Sequence, residues 1–157
     1  MKQSNYYLGI DPGGVSGAFA FAGEHDESHS LPIHGEGKDK IINFKELHDN
    51  LKLFNGEIAH CIIELVHSMP KQGVASTFKF GGGYYGIQAV ISILEIPYSF
   101  VTPQMWKKHF QIKRGSTKEA SRQTAQRLFP AVDLSKKKDS DRAEALLIAR
   151  YCQDIYG

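Results

Sequence analysis

Asp11, Glu64, Asp141 and Glu144 stand out among the acids of this sequence by where they fall. Asp11 ends the apolar start of LGIDPGGVSGAFAF, residues 8–21, and Glu64 comes near the end of IAHCIIEL, residues 58–65. Asp141 and Glu144 open DSDRAEALLIAR, residues 139–150, three positions apart and so on one helical face. Each has an ordinary use taken singly: Asp before Pro-Gly forms turns, an acid at a strand end is solvated, and acids at a helix start complement its dipole. Taken jointly they suggest a site. If the two apolar runs are neighbouring strands and the last helix packs over their ends, the carboxylates meet, and each pair about 4 Å apart costs about 4 kcal/mol at an effective dielectric near 20. A hard divalent ion relieves that repulsion, because Mg²⁺ takes oxygen ligands and keeps open positions for water and phosphate. Asp139 ranks below these four, since it also suits the N-cap of the last helix.

Charge along the chain points to a polyanion. Between Pro103 and Lys138 ten basic residues face only Glu119 and Asp133, a local net charge of +8 in a chain whose total is +2, so the remainder sums to −6. A polyanion-binding face has this signature, and so does a solvated helical face. Within the segment, Lys118 opens a helix whose free N–H groups favour phosphate, and Lys107 and Lys108 are candidates for contacts to a nucleic-acid backbone. Lys113 and Arg114 lie between them, and Lys71 sits in the polar stretch after Glu64.

The elements that must position these residues follow from periodicity. Tyr6–Ile10 and Gly17–Ala22 read as strands joined by a Pro-Gly-Gly turn, with a third strand through Leu31 and Ile33 completing an antiparallel meander. Phe44, Leu47, Leu51 and Phe54 recur at helical spacing before Asn55-Gly56, and Ile58–Leu65 is continuous enough for an interior parallel strand. Ile87, Val90, Ile91 and Leu94 mark another helix, expected to begin near Tyr84 because Gly81-Gly82-Gly83 weakens helix before it. Pro97–Val101 reads as a strand, and Thr102-Pro103 as the cap and first residue of a short helix. Ser116-Thr117-Lys118-Glu119 matches a capping box with Ser116 as N-cap, opening a helix that stops at Pro130; Asp139–Tyr156 is the last helix. Three strands followed by strand and helix alternation make an α/β mixed sheet in one domain spanning residues 1–157. With no signal-like start and no membrane-length apolar run, a cytoplasmic location is the expectation. Cys61 and Cys152 read as small buried hydrophobes.

On these residues the sequence resembles the RuvC-type Holliday-junction resolvases of the RNase H-like, retroviral integrase-like nuclease superfamily, in particular their short phage forms. LGIDPG is similar to the first-strand motif, CIIELV to the second acidic strand, GGGYYGI to the entry of the dimer-forming helix, VTPQMWKKHF to the segment after the next strand, and DRAEALLIA to the final D-x-x-D/E helix. The resemblance implies an RNase H-like five-stranded sheet, three antiparallel strands then parallel ones, with helices on both faces. It implies Asp11, Glu64, Asp141 and Glu144 as metal ligands, Glu144 being a methylene longer than the Asp of many members, and Lys118 as a catalytic neighbour of the scissile phosphate. The activity implied is Mg²⁺-dependent hydrolysis of four-way branched DNA by two ions about 4 Å apart, with Mn²⁺ able to substitute. The loop after Glu64, where members place a junction-probing residue, carries His67. A four-way junction has two-fold symmetry, and paired cuts imply a homodimer, with Ile87, Val90, Ile91 and Leu94 serving either its interface or the core. No membrane or small-molecule substrate is expected. Two alternatives stand beside this reading: a nuclease of the same fold acting on other branched or RNA-containing duplexes, and a DNA-binding module without catalysis. An actin-like ATPase shares the first hairpin but needs two such domains.

Overall fold

Apolar residues Tyr6–Asp11 form strand β1 and Ala18–Gly23 form β2, paired antiparallel with Ile10 opposite Phe19 and Asp11 opposite Ala18. The computed structural model describes residues 6–14, 16–66 and 71–157. β3, Glu27–Ser30, adds to β2. It lies earlier than the expected strand through Leu31 and Ile33, because Pro32 has no N–H with which to continue a ladder. Leu31 instead turns into the core, and Ile33–His34 (β4) pairs with Ile41–Ile42 (β5) in a separate two-stranded sheet that the sequence reading did not contain. Helix α1, Phe44–Lys52, follows with Asn43 Oδ1 accepting the Glu46 N–H at 3.1 Å. β6, Ile58–Glu64, then runs parallel to β1, and β7, Tyr98–Val101, runs parallel to β6. The order is β3-β2-β1-β6-β7, the mixed five-stranded sheet expected.

Strand alternation sorts the side chains to two faces. Tyr6, Leu8, Ile10, Phe19, Phe21, Cys61 and Ile63 pack against α1 and α2, whereas Ala18, Ala20, Ala22 and Ile62 pack on the other side against the three C-terminal helices. These are α3, Pro103–His109; α4, Lys118–Leu128; and α5, Ser140–Tyr156. The small alanines of β2 and Gly9 of β1 let α5 lie tight on the sheet. A Cβ added at Gly9 would stand 2.3 Å from the Ala149 nitrogen and 2.5 Å from the Ala145 carbonyl oxygen.

Two helix expectations need correction. α2 runs from Val74 to Ile93, straight through Gly81-Gly82-Gly83, rather than starting near Tyr84. The glycines are tolerated because of close approach: a Cβ on Gly83 would lie 2.6 Å from the Gly13 carbonyl oxygen, so helix and loop meet backbone to backbone there. Ile87, Val90 and Ile91 are buried in this chain's own core, which leaves them no free surface to offer a partner. At α4 the N-cap is Thr117, not Ser116, and the expected box does not form. Glu119 is taken instead by Arg122, whose Nη2 donates to its Oε2 at 2.6 Å. At α3 the cap is as read, with Thr102 Oγ1 accepting the Met105 N–H at 3.3 Å. Both cysteines are buried thiols. No described helix is long and apolar enough to cross a membrane.

Candidate active site

Asp11 is the last residue of β1 and Glu64 the last of β6. The parallel register sets Ile10 beside Ile63, so the two acids follow side by side at the C-terminal ends of adjacent strands, which are typically about 4.8 Å apart. The alternation that sends Ile10 and Ile63 toward α1 and α2 sends Asp11 and Glu64 toward α5. α5 is anchored on β1 where Ala145 crosses Gly9; one turn earlier it carries Asp141, with Glu144 beside the anchor. Four carboxylates from three elements thus share one edge of the sheet. Asp11, Glu64 and Glu144 are each less than a tenth exposed, and Asp141 is half-buried.

Electrostatics register the crowding. Burial pushes the Asp11 carboxyl well above the usual carboxylate range, and the charges of Glu64, Glu144 and Asp141 push it further. Glu144 is raised by burial and then by Glu64. Glu64 is raised by burial but drawn partly back by a hydrogen bond from the Trp106 indole and by the Lys107 and Lys118 charges. Lys118 Nζ reaches Asp141 Oδ1 at 3.4 Å. Burial lowers the Lys118 pKa, the Asp141, Glu144 and Asp11 charges outweigh it, and the ammonium ends with a raised pKa.

The sequence-derived basic residues are distributed around this edge. Lys118, the first residue of α4, lies among the acids. Lys107, Lys108, Lys113 and Arg114 line one cleft of about 620 Å³ between α3 and the loop leading to α4. Lys107 also acts on Glu64 and Glu144, so that cleft adjoins the acids. Lys71 is exposed ahead of α2 with φ 68° and is not part of the cleft at Asp11. His67 lies outside the described residues. Asp139 is engaged elsewhere, accepting from the Lys136 N–H at 3.0 Å and from Arg142 Nη1 at 3.3 Å.

Several neighbours are not among the residues that the sequence singled out as a site, although Lys137 and Lys138 belong to its basic segment. Gln72, and Ser76, Lys79 and Phe80 of α2, form the far wall of the cleft that holds Asp11, Lys118 and Asp141. Lys137 and Lys138 share a second cleft with Lys118 and Asp141. Trp106, fully buried, donates Nε1–H to Glu64 Oε2 at 2.7 Å. The clue to Trp106 was available: a buried indole N–H needs an acceptor, and this chain has one tryptophan, in α3.

The donor set is made only of carboxylate oxygens, three of them buried and mutually repelling, which suits a hard divalent cation. Among the described residues no group of three His, Cys, Asp or Glu side chains is gathered closely enough to hold a metal ion; the acids act on one another through their charges, and Asp11 and Asp141 line one cleft with Lys118. No protein-family model matches the chain, and no curated protein matches it in sequence. Solved structures do. RuvC from Thermus thermophilus is 16% identical with a TM-score of 0.59, covering 90% of this chain and 89% of its own. T. thermophilus RuvC in complex with a Holliday junction substrate is 15% identical with a TM-score of 0.64, covering 92% and 90%. The acids at the ends of β1, β6 and the start of α5 are therefore carried on the RNase H-like fold of RuvC.

Proposed function

We propose that this chain is a divalent-metal-dependent endonuclease that resolves four-way DNA junctions by paired phosphodiester hydrolysis, working as a homodimer. The observation that carries the reading is the meeting of Asp11, Glu64, Asp141 and Glu144 beside Lys118, on a fold whose solved relative was captured with a Holliday junction. In this reading the four carboxylates hold Mg²⁺, with Mn²⁺ as a substitute. A divalent cation there supplies stabilisation of charge developing on the phosphate and lowers the pKa of water.

The chain's own residues do the rest. Lys118 stays protonated among the acids and neutralises the scissile phosphate from the N-terminus of α4, where backbone N–H groups also face outward. Lys107, Lys108, Lys113 and Arg114 hold flanking phosphates, fixing the register of the strand without reading sequence. Lys71 and His67, in the connection between β6 and α2, contact the DNA arm beyond the cut. Val74, Phe78, Gly82, Tyr85, Ala89 and Ile93 are exposed at i+3 and i+4 spacing along α2 and form the stripe that a second copy covers, with Phe78 85% and Tyr85 70% exposed. A dyad through that face sets two sites against a two-fold junction.

The test is to offer linear duplex, flap, fork and four-way DNA, with an RNA-containing duplex alongside, in Mg²⁺, and to map the nicks. Symmetric paired nicks on the four-way substrate are expected. Cutting confined to flaps, forks or hybrid duplexes moves the substrate class, and binding without cutting leaves a DNA-binding module.

A further inference from the structure

We infer that Trp106 is a positioning residue for Glu64: its indole N–H holds the carboxylate in the orientation in which it takes part in cation binding. The inference rests on the metal-dependent reading above and adds to it a residue that is neither ligand nor DNA contact. The construction begins in the sheet. Glu64 pairs in register with Val101 at the end of β7, and the Leu65 N–H donates to the Val101 carbonyl at 2.7 Å, so the end of β6 and the start of the next connection are tied together. Thr102 then caps α3, its side chain accepting the Met105 N–H and its carbonyl accepting the Trp106 N–H at 3.4 Å. That cap sets the first turn of α3, and the first turn delivers the indole onto Glu64 Oε2 at 2.7 Å.

A packing role alone does not account for this arrangement. Trp106 is fully buried within the apolar cluster that the sheet forms with the three C-terminal helices, yet its one polar atom is directed at an ionisable group of the acid cluster. The bond holds Oε2, leaving Oε1 as the oxygen not engaged by the indole, and it restricts a side chain that would otherwise rotate away from three other carboxylates. Lys107, the next residue, sets Nζ 5.4 Å from the centre of the same indole ring while lining the basic cleft. Support for a ligand's orientation of this kind is typically worth about tenfold or more in metal affinity.

Trp106→Phe keeps the ring's apolar bulk and removes the donor. By titration calorimetry we expect it to bind Mg²⁺ about tenfold more weakly than the native protein, while four-way DNA binding measured without metal is unchanged. In a Glu64→Gln background the same substitution is expected to cost no further Mg²⁺ affinity. A folded Trp106→Phe protein that binds Mg²⁺ as tightly as the native one, or loses as much in the Glu64→Gln background, overturns the inference and leaves the proposed function standing. A native protein that takes up no Mg²⁺ overturns the metal-dependent reading, and the inference with it. The native chain offers a second measurement that does not depend on the variant folding. Its single tryptophan gives one indole ¹H–¹⁵N resonance, expected to shift as Mg²⁺ is added and to stay in place in Glu64→Gln. A resonance that ignores bound Mg²⁺ overturns the inference.

Discussion

Asp11 is the residue on which most of the site's electrostatics converge, since burial and three neighbouring carboxylates all disfavour its charge. In the proposed reading, replacing it with Asn removes a cation ligand and relieves repulsion at the same time. Asp11→Asn should therefore abolish Mg²⁺-dependent cleavage while leaving four-way DNA binding intact or tighter, as read by nick mapping and gel mobility on the same samples. The raised pKa also has a sign in stability. In the metal-free protein Asp11, Glu64 and Glu144 bind protons more strongly when folded than when unfolded, so stability is lost as pH rises above the ordinary carboxylate range, about 4. In chelator at neutral pH, Asp11→Asn is expected to melt higher than the native protein, with the gap closing as pH falls from the raised value toward that range and closed once it is reached. A native protein that melts no lower than the variant at neutral pH would remove the repulsion from the account.

At the scale of elements, the site depends on how closely α5 and α2 approach the β1 end. Gly9 is the seat of α5, and a methyl there collides with the Ala145 and Ala149 backbone. Gly9→Ala is expected to cost about 1–3 kcal/mol by overpacking and to lower activity by moving Asp141 and Glu144 off the sheet edge. Gly81 of α2 is the contrasting case, with nothing within 4 Å of an added Cβ and a place outside the exposed apolar stripe. Gly81→Ala gains helix propensity of up to about 1 kcal/mol and should raise the melting temperature by about 2–4 °C. Calorimetric melting of the two variants side by side checks both expectations. The missing Ser116 capping box belongs at this scale too. Two adjacent hydroxyls, Ser116 and Thr117, can each serve as N-cap, and Arg122 one turn into the helix claims Glu119; local spacing does not decide between them.

The whole molecule carries acids at one edge of the sheet, a basic cleft beside them, and an exposed apolar stripe on α2. If the stripe is the interface between copies, Tyr85→Glu should shift the protein to monomer in sedimentation and turn paired cuts of a four-way junction into single uncoordinated nicks. If the basic cleft holds phosphates, binding should weaken steeply with salt. Lys113→Ala should then reduce the steepness of log affinity against log salt by about 1, weakening all DNA sequences alike. A slope unchanged in that variant would take Lys113 off the DNA path.

Strand and helix positions were largely legible in the amino-acid order, because two-residue and helical periodicities, proline and capping hydroxyls act over a few neighbours. Tyr6–Asp11, Ile58–Glu64 and the Thr102 cap all formed where local pattern put them. The acids could be seen at element ends for the same reason, and the +8 segment is a property of composition. What the sequence left open was decided by contacts between distant residues. The continuity of α2 through three glycines rests partly on the Gly13 loop lying against Gly83, and the β4–β5 hairpin on pairing across its turn. The bond from Trp106 to Glu64 spans 42 positions of sequence. Local order determined which residues stand at the ends of elements; only the tertiary structure, through strand register and the seat of α5 on Gly9, decided that those ends meet.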